Sequence, residues 1–270
     1  MSVEDLFSLE VRVAIVTGGS TGIGEGIAQG LAQAGANIVI AARRHNMIDD
    51  ACHKIEAMGA KAVGISTDVT KAEDIERMLK TATDAFGRID ILVNNAGSTW
   101  GDNFKRGPLL EMTEQDFYGC FDLNLKSIFL SCTMVVPIMR AQGKGCIINV
   151  SSTGGLSLTP PGIGFALYGA AKSANVSLSR AMAVEFAPDV RVNVIAPGAV
   201  DTPRVVAARD PERAAQQLRG IAMGRSGLPS DFAGAAVYLA SDAASWTTGT
   251  ILEVHGGLQA ARTPTTGNRM

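Results

Sequence analysis

Cysteine, histidine, aromatic side chains and net charge are all scarce in this sequence, and each shortage excludes something. The four cysteines (Cys52, Cys120, Cys132 and Cys146) lie far apart in 270 residues, with no Cys-x-x-Cys pair and no Cys/His spacing of a zinc site. That excludes a disulfide frame and leaves buried, idle thiols in a reducing compartment. The three histidines, His45, His53 and His255, form no metal-ligand pair, so no metal is expected. Basic and acidic residues nearly cancel, 24 against 26, without a run of five like charges; nothing points to nucleic acid or an anionic membrane as partner. Long hydrophobic runs are missing too. The most apolar window, 128–139, is too short and too broken to span a bilayer, so a cytoplasmic location is the default expectation.

What is present is a globular composition, 46% hydrophobic with 30 glycines. A chain of this length buries roughly 75% of the surface its unfolded form exposes, enough for a core without covalent staples. Short Val- and Ile-rich runs at 11–17, 37–42, 61–66, 89–94, 145–152, 190–196 and 250–257 read as strands. They alternate with helical periodicity at 22–34, 47–58, 71–86, 113–140, 166–186 and 230–240. Strands apolar on both faces, each separated by a helix, indicate an α/β fold with a parallel sheet covered on both sides. Right-handed crossovers make it a doubly wound, seven-stranded sheet. No linker or fixed-period repeat divides it, so one domain is expected over 1–257, followed by a flexible Thr-, Pro- and Gly-rich tail at 258–270.

The first strand runs into Thr17-Gly18-Gly19-Ser20-Thr21-Gly22-Ile23-Gly24, where a helix begins. A tight turn followed by helix N-terminal amides with no side chains in the way lets a pyrophosphate approach the positive end of the helix dipole. Gly30 and Gly35 read instead as packing and turn glycines. In a dinucleotide site an acidic residue ending the second strand would bind the ribose hydroxyls of NAD; this sequence has Arg43 and Arg44 there. A guanidinium pairs with phosphate through two parallel hydrogen bonds where Asp would repel it, which makes NADP(H) the preferred cofactor. NAD(H) is the alternative if both arginines are only solvated loop charges.

Further along come Asp68-Val69, Asn94-Asn95-Ala96-Gly97, Asn124, Ser151-Ser152, Tyr168-Gly169-Ala170-Ala171-Lys172 and Pro197-Gly198. In order with the glycine-rich turn, this set resembles the motifs of the short-chain dehydrogenases/reductases over nearly the whole chain. The resemblance implies a Rossmann fold with strand order 3-2-1-4-5-6-7. It places Gly18, Ser20, Thr21, Gly22, Ile23 and Gly24 at the pyrophosphate, Asp68 and Val69 at the adenine, and Asn95, Ala96 and Gly97 at the adenine ribose side. Pro197, Gly198, Val200 and Thr202 would hold the nicotinamide carboxamide. Asp68 could equally be a helix cap, and Asn95 a structural residue.

Tyr168 and Lys172 stand four apart on an expected helix and share one face. A lysine charge about 4 Å away at an effective dielectric near 20 is worth roughly 4 kcal/mol, which would carry a phenol of ordinary pKa near 10 toward neutrality. The resemblance makes Tyr168 the acid in reduction and the base in oxidation, with Lys172 lowering its pKa and binding the nicotinamide ribose. It has Ser152 polarise the substrate oxygen and gives Asn124 a helix-internal water that links Lys172 to solvent. Ser151 is the alternative to Ser152, which is preferred because Gly155 completes the family's Ser-x-x-Gly. The stretch between Ser152 and Tyr168 and the loop 98–108 are longer than in compact members. Trp100, Phe104, Leu158 and Phe165 could line a roomy, mostly apolar pocket under a lid at about 200–227.

The expected function is therefore NADP(H)-dependent hydride transfer to or from a small ketone or secondary alcohol. The resemblance adds a homotetramer whose long helices 113–140 and 166–186 form the main dimer contact. One alternative is a reductase of 3-oxoacyl thioesters on acyl carrier protein, which requires a basic docking surface near the mouth of the site. Another, of a different class, is a non-catalytic NADP-binding sensor or scaffold, against which a complete Asn/Ser/Tyr/Lys set argues.

Overall fold

Every residue of the strands Val13–Thr17 (β1) and Ile91–Asn94 (β4) is buried, which a sheet achieves only when helices cover both of its faces. The computed structural model describes residues 2–156, 163–207, 215 and 218–258. Besides β1 and β4, its strands are Asn37–Ala42 (β2), Ala62–Ser66 (β3), Gly145–Val150 (β5), Val190–Pro197 (β6) and Ile251–Val254 (β7). All pairs are parallel, in the order β3-β2-β1-β4-β5-β6-β7. Val16 of β1 stands opposite Ile40 on one side and Val93 on the other. The order reverses at β1, so the connections leaving β1 and β4 diverge and open a crevice at the strands' carboxyl ends.

Alternate side chains of β1 enter opposite cores, as a period of two requires. Ala14 and Val16 join Ile27, Leu31, Ile38, Ile40, Phe232 and Leu239. That layer is built by the helices Gly22–Gln33 (α2) and His45–Glu56 (α3) and the late helix Ala233–Ala240 (α9). Val13 and Ile15 join Ile75, Met78, Leu92, Ile128, Val135, Met139 and Met182. The second layer is Ala72–Phe86 (α4), Ser127–Ala141 (α6) and Ala166–Glu185 (α7). Each large aliphatic side chain removed from water in these layers contributes about 1.5–3 kcal/mol, set against the conformational entropy of ordering it.

Several boundaries differ from the sequence reading. A short N-terminal helix, Val3–Phe7 (α1), was not expected; Ser2 and Asp5 form a capping box that starts it. Helix α3 begins at His45, and the last expected helix splits into a 3-10 turn, Pro229–Phe232, and α9. The expected helix 113–140 consists of Glu114–Phe121 (α5), a π turn Asp122–Lys126, and α6. The Asn124 side chain donates to the Cys120 carbonyl at 2.9 Å and so takes the acceptor that an unbroken α-helix reserves for a backbone N–H. By length and composition the combined rod Glu114–Ala141 could cross a bilayer, contrary to the short window read from sequence. It instead lays Ile128, Cys132, Val135, Val136 and Met139 against the sheet. Between β6 and α9 a further short helix, Pro203–Ala207 (α8), opens the expected lid. Lid residues 208–214 and 216–217, Leu158 and tail residues 259–270 lie outside the described residues.

The glycines of α2 serve packing. A Cβ at Gly26 would stand 2.1 Å from the Pro229 carbonyl oxygen and one at Gly30 would stand 2.5 Å from the Ala233 Cβ. Gly35 turns the chain out of α2 at φ +103°. Gly26→Ala is therefore expected to destabilise the fold by about 1–3 kcal/mol through overpacking, despite alanine's better helix propensity. Urea unfolding measures this, and an unchanged midpoint would show that α2 does not need the close approach.

Candidate active site

At the end of β1 the chain makes the turn that the bare residues allow. Gly18 and Gly22 both sit in the left-handed region, at φ +62° and +61°. A Cβ at Gly24 would stand 2.3 Å from the Gly18 carbonyl oxygen. Helix α2 starts at Gly22, and Thr21, extended at the N-cap position, places no side-chain hydrogen bond on its first turn. The result is a backbone cradle of helix amides at the crevice, with a form that suits a pyrophosphate. Ser20 is buried beneath it, and Ile23 packs on the core.

Asn95 braces this cradle. Its side-chain amide donates to the Thr17 and Gly18 carbonyls at 2.9 and 3.2 Å, and the N–H groups of Asn95 and Ala96 both donate to the Thr17 hydroxyl at 3.0 and 3.1 Å. The structural role left open for Asn95 is thus visible in its hydrogen bonds. Asp68 accepts from the Thr70 N–H and hydroxyl at 3.1 and 2.8 Å, which forms a turn ahead of α4, while Val69 is buried. Arg43 and Arg44 follow β2 on the exposed rim. Arg43 forms an ion pair with Asp102 of the loop 98–108.

Across the crevice, Gly198 follows Pro197, the last residue of β6, and a Cβ there would stand 2.7 Å from the Cβ of His255. Val200 bridges to Gly227. Thr202 accepts from the Val205 N–H at 3.3 Å, and its methyl would lie 3.0 Å from a Cβ at Gly22. The β6 connection and the phosphate cradle therefore meet face to face. His255 is held structurally: it pairs with Glu253 at 2.9 Å and accepts from the Gly257 and Leu258 N–H groups.

Ser152, Tyr168, Lys172 and Asn124 come together beyond β5. The Ser151 hydroxyl is buried and donates to the Lys172 carbonyl at 2.9 Å, a structural contact. The Ser152 hydroxyl accepts from the Gly154 N–H at 3.1 Å and shares a hydrogen bond with Tyr168, so geometry favours Ser152 of the two. Gly155 is required because a Cβ there would stand 2.6 Å from the Lys172 carbonyl carbon. Lys172 is 3% exposed; its Nζ donates to the Val150 carbonyl at 2.9 Å and lies 5.7 Å from the centre of the Tyr168 ring. Asn124 is fully buried in the π turn, donating to the Ser98 carbonyl at 2.9 Å and accepting from the Ser98 N–H at 3.1 Å. A Cβ on Gly97 would meet both Asn124 Oδ1 at 2.9 Å and Lys172 Nζ at 3.0 Å.

The electrostatics correct one expectation. Burial pushes the Tyr168 phenol up to about 12, with the Ser152 hydrogen bond acting the other way, although part of the side chain keeps exposed surface. Burial likewise brings Lys172 down to about 8. In the protein alone the phenol moves away from neutrality, because desolvation of the phenolate is the largest influence on it. A second correction concerns the substrate side. Phe104 is 8% exposed and fills the space over Gly101 and Gly119 rather than a pocket. The narrow pocket beside Tyr168 mixes Thr99, Lys105 and Arg106 with Met112, Cys120, Ala166 and Leu167, so its lining is part polar and part apolar. Cys120, whose thiol interacts electrostatically with both Tyr168 and Lys172, was missed because a lone cysteine carries no spacing signal.

A model of the family described as enoyl-(acyl carrier protein) reductase matches residues 18–259. The chain belongs to the short-chain dehydrogenases/reductases, a family of oxidoreductases. It is 40% identical to an uncharacterized oxidoreductase of Mycobacterium tuberculosis, over 94% of each chain. It is 34% identical to the 3-oxoacyl-(acyl-carrier-protein) reductase of Thermotoga maritima, over 93% of this chain and 98% of that one. Among solved structures, a 7α-hydroxysteroid dehydrogenase complexed with NADH and 7-oxo glycochenodeoxycholic acid superposes with a TM-score of 0.89 at 34% identity, covering 95% of this chain and 98% of that one. The NADPH-dependent 3-quinuclidinone reductase of Rhodotorula rubra gives a TM-score of 0.87 at 28% identity, covering 95% of this chain and 94% of that one.

Between Lys172's folded value of about 8 and its ordinary 10.5, the unfolded chain holds a proton that the folded chain lacks, so stability rises with pH in that window. Cofactor-free protein is expected to gain more resistance to urea from pH 8 to 10 than Lys172→Met does. Equal slopes would show that Lys172 is not desolvated.

Proposed function

We propose that this chain is an NADP(H)-preferring enzyme that moves hydride between the nicotinamide and a small ketone or secondary alcohol. The observation that carries the reading is the contact of Tyr168 with Ser152 above a buried Lys172, at the same sheet edge as the glycine cradle. Ser152 and Tyr168 hold the substrate oxygen, and the Tyr168 hydroxyl gives its proton to the forming alkoxide. A phenol held at about 12 stays protonated near neutral pH, so it has a proton to give and cannot take one up, which suits reduction there. The nicotinamide, when bound, supplies the hydride and, in its oxidised form, a positive charge. Lys172 holds its ribose, and Asn124, next to Gly97 and Lys172, supports the proton relay. Gly18 to Gly24 take the pyrophosphate, Asp68 and Val69 the adenine, Asn95, Ala96 and Gly97 the ribose side, and Pro197, Gly198, Val200 and Thr202 the carboxamide.

The reading as a single domain over 1–257, lidded at 200–227, rests on the one continuous sheet. We further infer a homotetramer, supported by exposed Phe117, Tyr118, Phe129 and Val184 on α5, α6 and α7, which light scattering would test by mass. The four free cysteines support a cytoplasmic location, which fractionation of the source cells would test. The acyl-carrier-protein reading gains from the cations Arg43, Arg44 and Arg204, the last with its pKa lowered first by burial and then by the other two charges, with Lys105 and Arg106 beside the pocket. Faster reduction of a 3-oxoacyl-carrier protein than of any small ketone would favour it.

Tyr168→Phe is expected to keep cofactor binding, read by calorimetry, and to lower kcat by about 100-fold or more; unchanged turnover would remove the mechanism. For the coenzyme, Arg43 is occupied by Asp102, which a 2′-phosphate must displace. Asp102→Asn should therefore tighten NADPH about three- to tenfold and leave NADH unchanged. Equal effects on both, or a higher kcat/KM with NADH, would exclude the NADP preference.

A further inference from the structure

Two guanidinium groups gather on one indole in the loop 98–108. Arg204 stacks over the Trp100 ring at 4.1 Å and donates to the Trp100 carbonyl at 3.2 Å. Arg106 lies 5.1 Å from the same ring and 5.4 Å from the Phe165 ring. The two arginines differ in what they have left to give. Arg204 spends an N–H on the protein, whereas Arg106 is held by ring contacts alone, and among the described residues nothing accepts from its N–H groups or pairs with its charge. Its neighbour Lys105 is less free, because the Asp116 carboxylate, which accepts the Lys105 backbone N–H at 2.8 Å, also interacts with its charge.

Aromatic contact fixes a guanidinium through its face and leaves the N–H groups at its edge available. A fixed, unpaired fork of donors matches a carboxylate through two parallel hydrogen bonds. Arg106 also borders the narrow pocket that contains Tyr168. We propose that Arg106 determines specificity for an anionic substrate: a small carbonyl compound that carries a carboxylate, with its carbonyl at Tyr168 and Ser152 and its carboxylate on the Arg106 fork. The assignment of the carbonyl end rests on the reading of Tyr168 and Ser152 given above; the carboxylate end rests on Arg106 alone. A small acid fits better than an acidic protein surface, because Arg106 borders the same narrow pocket as Tyr168 while Arg43 and Arg44 present the rim.

The test needs no turnover. With Trp246→Phe, a change at a fully exposed position, Trp100 is the remaining tryptophan and its fluorescence reports on the Arg106 contact. The full chain, with NADP+ present so that no ketone is reduced, is titrated with 4-oxopentanoate and 5-oxohexanoate, each against its uncharged amide. The acids are expected to give saturable changes with Kd values about tenfold or more below those of the amides. Arg106→Gln should erase that preference, and Arg106→Lys should retain part of it. Amides that bind as well as the acids, an undiminished preference in Arg106→Gln, or no response to either acid would each overturn the proposal. A response to an acidic acyl carrier protein but not to the free acids would assign these cations to a protein partner and overturn it too. Hydride transfer measured in parallel separates the two readings. Neutral ketones turned over without a preference for acids sink this inference alone, and acids bound through Arg106 without any hydride transfer sink the oxidoreductase reading alone.

Discussion

The site is arranged around an ammonium group taken out of water. Lys172 lies at the carboxyl end of β5 with the Val150 carbonyl as its acceptor, and a charge so placed survives only if the backbone around it closes without side chains in the way. Gly97 and Gly155 provide that closure, one against the ammonium and Asn124, the other against the lysine's own backbone. Ser151 pins the lysine's carbonyl, and Asn175 shares the Val150 acceptor. Burial strong enough to bring the lysine to about 8 also raises the phenol beside it. The same dry environment thus keeps the Tyr168 phenol protonated, and a further positive charge bound next to it would act the other way.

Much of the fold was legible because its signal is local and repeated. The central strands β1, β2, β4, β5 and β6 carry runs of apolar residues that no half-exposed strand would need, and helices such as α3 and α4 carry a 3.6-residue stripe. The clustering of the candidate residues was legible for a related reason: Tyr168 and Lys172 are four apart on one helix, and Ser152 and Gly155 lie in one short turn. The choice of Ser152 over Ser151 needed only the spacing to Gly155, and the coordinates supply the physical reason for that glycine.

What escaped the sequence depends on pairs far apart or on competition between large terms. The π turn follows from one side chain, Asn124, taking a carbonyl four residues back while also fixing Ser98. Neither contact has a periodic signature. The direction of the Tyr168 shift escaped because a pairwise lysine charge can be reckoned from spacing, whereas the desolvation opposing it depends on the whole surrounding fold. Phe104 was misplaced for a similar reason. An aromatic in a long loop suggests a pocket wall, but Gly101 and Gly119 leave a gap of its size beneath the loop.

That loop also joins the two ends of the crevice. Asn124 holds its start at Ser98, Trp100 reaches Arg204 on α8, Asp102 pairs with Arg43 after β2, and Arg106 borders the pocket of Tyr168. A near-neutral chain of net charge −2 therefore hides a local concentration of cations, which net composition averages away. Charges interact across roughly 8 Å at physiological salt before screening removes them, so it is this local set, and not the overall balance, that an approaching anion meets. Asp102 stands within the set as the carboxylate partner of Arg43. Its pairing ties the end of β2 to the same eleven-residue loop that carries Arg106, so the length of that loop constrains both rims of the crevice together.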